Sequence, residues 1–319
     1  MKILVTGGLG FIGHNVVQEL EQLGHSVVIT DTRTTYGIIA SAEINYLMSE
    51  RSKRIQTTAI YDINIASSTI DWLVQTHRPD IIIHMASFPR QKVVNSNPQQ
   101  GSQSMSEGLL NLLEAAKKYH VSRFVYISSS MVYGDFGNGV DETAECRPQG
   151  AYGIMKLAGE WLTRDYTRTG GMSHVIVRPS AVYGPLDVED RVVAKFISTA
   201  RRGGTLKVNG AGEVLDFSYV DDVALGIVAA ALSDRTSNRT YNITCGQGRS
   251  LLEAAELAVK IAGQGHVQVC DRDQNFPSRG ALSIARAQQD FDYSPATDIE
   301  QGFENYYLWL QGSTYWNTK

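Results

Sequence analysis

Cysteine is scarce in this 319-residue chain: Cys146, Cys245 and Cys270 are an odd number, widely separated and without metal-ligand spacing. A disulfide framework and a cysteine-held metal are therefore not expected, and no metal site is expected at all. Long apolar runs are missing too. No stretch is long enough to cross a bilayer, and the short apolar segment at the start meets glycines at once without a cleavable small-residue site. The expectation is a soluble cytoplasmic protein with no membrane partner. Basic clusters are also absent: 29 Lys and Arg against 33 Asp and Glu leave a net charge of −4. That balance argues against nucleic acid or an anionic membrane as partner. Repeats and low-complexity tracts do not occur. What remains is an apolar content of 43%, enough to bury one large core or two lobes sharing an interface.

The chain opens with MKILVTGGLGFIGH, an apolar strand joined to a helix through Gly7, Gly10 and Gly13. Such a turn sets free backbone N–H groups at a helix N-terminus against a pyrophosphate. Gly7 makes the turn, Gly10 lets the backbone approach the phosphates, and Gly13 lets the helix pack on the strand. A second strand, Ser26–Thr30, ends on Asp31. A carboxylate about 20 residues beyond the glycines accepts the ribose hydroxyls of an adenosine and repels a 2′-phosphate, so the sequence favours NAD over NADP. Arg33, two residues later, is the cation that would accommodate the phosphate instead.

Strands alternate with helices through the first half, the signature of βαβ units and a parallel sheet. Strands are expected at Lys2–Thr6, Ser26–Thr30, Gln56–Ile60, Asp80–His84, Arg123–Ser128 and His174–Arg178. Helices are expected near Phe11–Leu23, Ser67–Thr76, Gln100–Tyr119 and Tyr152–Arg168, the third bearing the apolar stripe Leu109, Leu112, Leu113, Ala116. Beyond Pro179 the elements shorten and mix: helices at Val192–Arg202, Asp222–Leu232, Leu251–Ala262 and Ile299–Leu310, and strands at Thr205–Val208 and Thr240–Ile243. Asp221 and Asp222 read as N-caps of the second of these helices. The fold class is α/β, a Rossmann-like doubly wound parallel sheet over residues 1–178 with a smaller C-terminal α/β substrate-binding lobe over 179–319, some of whose segments return to the first domain.

Tyr152 and Lys156 stand four apart at the start of a helix, so their side chains share a face. An ammonium near a phenol stabilises the phenolate and draws its pKa down from about 10, the condition for a tyrosine general base. Ser128-Ser129-Ser130 follows the strand Phe124–Ile127, and carboxyl ends of parallel strands face the ligand crevice. A serine there can hydrogen-bond a reacting hydroxyl. His84, after Ile81-Ile82-Ile83, reads as a core group with no catalytic role.

In these motifs the chain resembles the extended short-chain dehydrogenases/reductases, specifically the NAD-dependent nucleotide-sugar epimerase/dehydratase group. The matching segments are TGGLGFIG (6–13), Asp31, Asp62-Ile63, His84-Met85-Ala86, SSSMVYG (128–134), YGIMK (152–156), RPSAVYGP (178–185) and DFSYVDDV (216–223). The likeness runs from end to end. It implies that Ser129 assists the sugar hydroxyl, Tyr152 is the base, and Lys156 binds the nicotinamide ribose and tunes Tyr152. It also places Phe11, Ile12, Met85 and Ala86 beside the cofactor and Asp62 with Ile63 beside the adenine. The implied chemistry is oxidation of a sugar alcohol, usually at C4, to a transient ketone, followed by return of the hydride.

Dehydratases of the group carry Asp-Glu straight after the catalytic Ser or Thr, where this chain has Ser130 and Met131. Neither can abstract a C5 proton or protonate a leaving hydroxyl. The expected activity is therefore a nucleotide-sugar 4-epimerase with tightly bound NAD. A C4 dehydrogenase or 4-ketoreductase is the alternative, a 4,6-dehydratase the less favoured one, and a non-catalytic NAD-binding regulator the reading from another class. Ala181, Leu215 and Met105 stand where relatives have Asn, Arg and Asn, so other groups must hold a nucleotide-diphosphate sugar. Arg191, Arg279 and Arg90 are the candidate cations, with Ser129 and Ser130 beside the sugar. Helix pairing as in relatives, through Gln100–Tyr119 and Tyr152–Arg168, implies a homodimer.

Overall fold

The computed structural model describes residues 1–33, 39–88 and 91–317. Its centre is a seven-stranded sheet. Six strands come from residues 2–178: β1 (Lys2–Thr6), β2 (Ser26–Thr30), β3 (Ile60–Tyr61), β4 (Ile81–His84), β5 (Arg123–Ile127) and β6 (Ser173–Arg178). The seventh is Arg239–Asn242, and the spatial order is Arg239–Asn242, β6, β5, β4, β1, β2, β3, every pair parallel. Strand order reverses between β1 and β4, which opens a crevice at their carboxyl ends. The Rossmann-like α/β class expected from the sequence is the observed one.

Strands buried on both faces read as the continuous apolar runs Ile3-Leu4-Val5 and Ile81-Ile82-Ile83. One face is covered by α1 (Gly13–Gln22) through Val16, Val17 and Leu20, together with the helix Val220–Leu232. After α2 (Ser41–Ser52), the other face is covered by α3 (Thr69–His77), by α6 (Gly108–Lys118) and by α7 (Gly150–Gly170), with α4 (Gln91–Ser96) and α5 (Pro98–Ser102) packed at one end. Residues after 179 thus serve both parts of the molecule: Val220–Leu232 and Arg239–Asn242 join the sheet core, whereas Val193, Phe196, Leu206, Ala254, Phe303 and Tyr306 build a second core.

Three local expectations change. β3 begins at Ile60 rather than Gln56 because the N–H groups of Gln56 and Thr57 donate to the Glu21 carboxylate at 2.9 and 2.7 Å instead of to a strand. The single helix Gln100–Tyr119 is instead α5 and α6 joined by a π-turn at Gln103–Glu107. The helix expected from Asp222 begins at Val220 with Tyr219 as N-cap. Asp222 caps nothing there: its carboxylate accepts the N–H groups of Ala296 and Thr297 at 3.1 and 2.9 Å, tying this helix to the approach of Ile299–Gly312. No helix among the described residues is long and apolar enough to cross a membrane.

Candidate functional site

A cavity of about 450 Å³ runs along the crevice. Gly7, Gly10 and Gly13 form its floor at the end of β1. Gly7 has φ +72, and a Cβ on it would stand 2.8 Å from the Ala86 nitrogen; one on Gly13 would stand 2.1 Å from the Gly7 carbonyl oxygen. The loop therefore needs bare backbone, which is what a pyrophosphate requires. Phe11, Ile12, Asp31, Ile63, Met85 and Ala86 also line the cavity, as the sequence suggested. Asp31 is fixed by the N–H of Leu9 to Oδ2 at 3.0 Å and that of Arg33 to Oδ1 at 3.1 Å. Burial raises its pKa, opposed by these hydrogen bonds and by Arg51. These residues fit a dinucleotide with a free ribose diol.

The reacting end is built where β5, the following serines and α7 meet. Three identical serines take three directions. Ser128 Oγ donates to the buried Glu160 at 2.6 Å, Ser129 faces the cavity beside Tyr152, and Ser130 turns inward to donate to Ser180 at 3.1 Å. A short 3₁₀ turn at Ser130–Val132, capped by Ser129 accepting the N–H of Met131 at 3.2 Å, sorts them. Ser130 is thus absent from the cavity wall.

Tyr152 and Lys156 lie on one face of α7, with the ammonium 5.9 Å from the phenol ring centre. Lys156 Nζ donates to the Ile127 carbonyl at 2.8 Å. The start of α7 has no side-chain cap of its own; Asn95 Oδ1, from α4, accepts the N–H of Tyr152 at 3.0 Å. Burial lowers the Lys156 pKa to about 8, with Glu160 opposing the fall. Burial likewise raises that of Tyr152, opposed by the charge of Arg191 and by the hydrogen bond with Ser129. Burial thus outweighs the Arg191 charge and the Ser129 hydrogen bond, and the phenol stands above its ordinary value, with Lys156 not among the groups that offset burial.

Behind this face, Arg178 grips both Glu160 oxygens at 2.9 and 2.7 Å and donates to Tyr133 Oη at 2.9 Å. His84 is buried, 2.8 Å from Thr6 Oγ1, and burial takes its pKa to about 3. It is a neutral core group.

Arg191 lines the cavity, its Nε 3.9 Å from Asp187. The other sequence candidates stand apart. Arg279 is half-buried away from the cavity wall, burial drawing its pKa to about 10 against the pull of Glu213. Arg33 and Asp62 are exposed and outside the lining, and Arg90 lies outside the described residues. Ala181 is on the wall at φ +39, a conformation Asn tolerates better than Ala. Leu215 and Met105 are core residues. Sequence reasoning missed Arg51, Asp187, Gln103 and Ser104 on the wall. Gln103 and Ser104 reach the wall from the π-turn, an insertion of a kind that gathers at functional sites and that the helical pattern of Gln100–Tyr119 did not announce.

Residues 3–244 match the NAD dependent epimerase/dehydratase family. Over its length the chain is similar to the uncharacterized UDP-glucose epimerase YtcB of Bacillus subtilis, with 30% identity covering 97% of this chain and 98% of the relative. It is also similar to the dTDP-glucose 4,6-dehydratase of Neisseria meningitidis, with 28% identity covering 99% and 95%. Among solved structures, UDP-glucuronic acid 4-epimerase from Bacillus cereus, in complex with UDP-glucuronic acid and NAD, superposes with a TM-score of 0.89 at 27% identity, covering 98% of this chain and 99% of that one. A glycine loop that admits only bare backbone, a carboxylate fixed on the cavity wall and a match over most of the length agree: the chain belongs to the NAD-dependent epimerase/dehydratase family, with NAD as its cofactor.

Proposed function

We propose that the chain is a nucleotide-sugar 4-epimerase. The observation that carries this reading is the convergence of Ser129, Tyr152 and Lys156 on one cavity wall, while Met131 is buried where elimination would need a carboxylate. Gly7, Gly10 and Gly13 would seat the pyrophosphate, Asp31 the adenosine ribose, and Lys156 the nicotinamide ribose. Bound NAD supplies a cationic ring that accepts a hydride from the sugar C4 and gives it back. Tyr152 takes the O4 proton as the C4–H bond breaks, leaving a 4-keto sugar; it returns the proton when the C4–H bond forms on the opposite face. Atoms and electrons balance with no external oxidant. Ser129 hydrogen-bonds the reacting oxygen and steers the proton to Tyr152.

Arg191, on the same cavity wall, would hold either the sugar's polar substituents or its diphosphate. A structural relative crystallised with UDP-glucuronic acid supports a UDP-sugar as substrate. Release of the 4-keto sugar would make the chain a C4 dehydrogenase, a reading the same residues serve for one half-reaction. A homodimer through α6 and α7 is part of the proposal, supported by Ile154 and Trp161, 54% and 65% exposed on α7. The test is a panel of UDP-, dTDP-, GDP- and CDP-sugars, following C4 stereochemistry and nicotinamide redox state together. An epimer formed without added NAD supports the proposal; stoichiometric NADH with a keto sugar, or a 6-deoxy product, contradicts it.

A further inference from the structure

We infer that Arg51, on α2, is a positioning residue that couples the seating of NAD on the glycine loop to the loop 184–191 presenting Arg191 to substrate. Its guanidinium is buried and spans the two segments: Nη1 donates to the Leu9 carbonyl at 3.2 Å and Nη2 to the Leu186 carbonyl at 2.7 Å. Leu9 sits between Gly7 and Gly10, and its N–H is one of the two that fix Asp31. One side chain therefore holds the loop that cradles the pyrophosphate and reads the carboxylate that takes the ribose.

The other end is under load. Leu186 has φ +69, a left-handed conformation that strains a leucine because its Cβ crowds the following carbonyl oxygen. It is retained because α2 clamps it: Ile44 and Leu47 pack on Leu186 and Val188, and Glu43 accepts the N–H of Glu189 at 2.8 Å. From Leu186 the chain runs directly to Asp187, which lies 3.9 Å from the Arg191 guanidinium, and Arg191 in turn acts on the Tyr152 phenol across the cavity. Arg51 is thus one fork between the glycine loop and the segment that carries Arg191.

Arg51 also lines the cavity, and its buried Nε has no hydrogen-bond partner among the described residues. Its two hydrogen bonds go to these carbonyls, with the charges of Asp187, Asp31 and Glu43 around it, so a ligand that fixes the glycine loop also fixes one end of the fork. A coupling of this kind needs an element both sites bias, and α2 with Arg51 is that element. The inference rests on the reading that Arg191 faces substrate, but its test uses no sugar.

Hydrogen exchange of the backbone amides is measured in the wild type, Arg51→Lys and Arg51→Met, on protein stripped of NAD and again after saturation with NAD. In the wild type, NAD is expected to slow exchange tenfold or more both in the glycine loop and across 184–191. Arg51→Met retains the protection of residues 7–14 and loses that of 184–191; Arg51→Lys, which keeps the charge and reaches only one carbonyl, recovers part of it. A merely structural Arg51 would loosen 184–191 equally with and without NAD, leaving the ratio unchanged. That result, or a wild-type loop indifferent to NAD, overturns the inference. Should Arg51→Met fail to fold, Arg51→Lys carries the comparison alone, with wild-type-like coupling as the contradicting outcome. A mistaken sugar assignment leaves every arm readable.

Discussion

Asn95 Oδ1 accepts the backbone N–H of Tyr152 at 3.0 Å, so a residue from α4 performs the N-cap function that α7 lacks of its own. Gly150, at φ +74, makes room for it: a Cβ there would stand 2.5 Å from Asn95 Nδ2. Replacing a capping Asn by Ala costs about 1 kcal/mol. Here the loss falls on the first turn that aims the phenol. Asn95→Ala is expected to lower kcat about tenfold, the equivalent of about 1.4 kcal/mol, with NAD affinity held. Steady-state kinetics beside NAD titration checks this; equal losses in both would show a general weakening instead.

Lys156 is expected to set the alkaline limit of turnover. Its burial-lowered pKa of about 8 means that the ammonium is lost as pH rises through that value, and turnover should fall with it. Tyr152 cannot cause the fall, because its phenolate becomes more abundant as pH rises. Stability runs the other way. Between about pH 8 and the ordinary lysine value the unfolded chain holds a proton that the folded chain has released, so this group's contribution to stability grows with pH. Lys156→Arg, which stays charged, should move the kinetic limb upward while lowering the maximum rate. A pH–rate profile with an unmoved limb would remove Lys156 as its source.

Glu160 is fully buried between Arg178, Arg164 and Ser128. Removing one partner of a buried pair leaves an uncompensated charge and costs on the order of 3–5 kcal/mol. Glu160→Gln should therefore lower the Tm sharply, and adding Arg178→Met should restore part of it, since the stranded cation is then gone. Thermal unfolding of both variants is the check; a double variant less stable than the single one would contradict the argument.

Ile154 and Trp161 leave an apolar strip on α7, 54% and 65% exposed. If two copies pair through α6 and α7, Ile154→Arg with Trp161→Glu should yield monomers by light scattering from a dimeric wild type. A monomeric wild type would rule out the pairing.

The glycine loop, Asp31 and the Tyr152–Lys156 face were legible because each depends on spacing that one sequence displays. α2 was not. Its buried residues include the charged Glu43 and Arg51, so the helix shows no clean apolar stripe and its role is visible only once Leu9 and Leu186 are in place. The serine triplet was unreadable for another reason: identical side chains carry no signal of direction, and the 3₁₀ turn that sends Ser129 to the cavity and Ser130 to Ser180 is set by its neighbours. The cap on α7 comes from a residue 57 positions earlier, a relationship that no local pattern records. Asp222 shows the converse, a residue well suited to capping whose carboxylate is taken by the distant Ala296 and Thr297.

The central claim is that one hydrogen leaves C4 and returns to it within a single protein. A UDP-sugar deuterated at C4, incubated with the protein as purified and followed by NMR, tests it most directly. The account predicts an epimer that keeps its deuterium at C4, with no label reaching free cofactor or solvent. Deuterium in released nicotinamide beside a free keto sugar, or loss of the C6 hydroxyl, would contradict it.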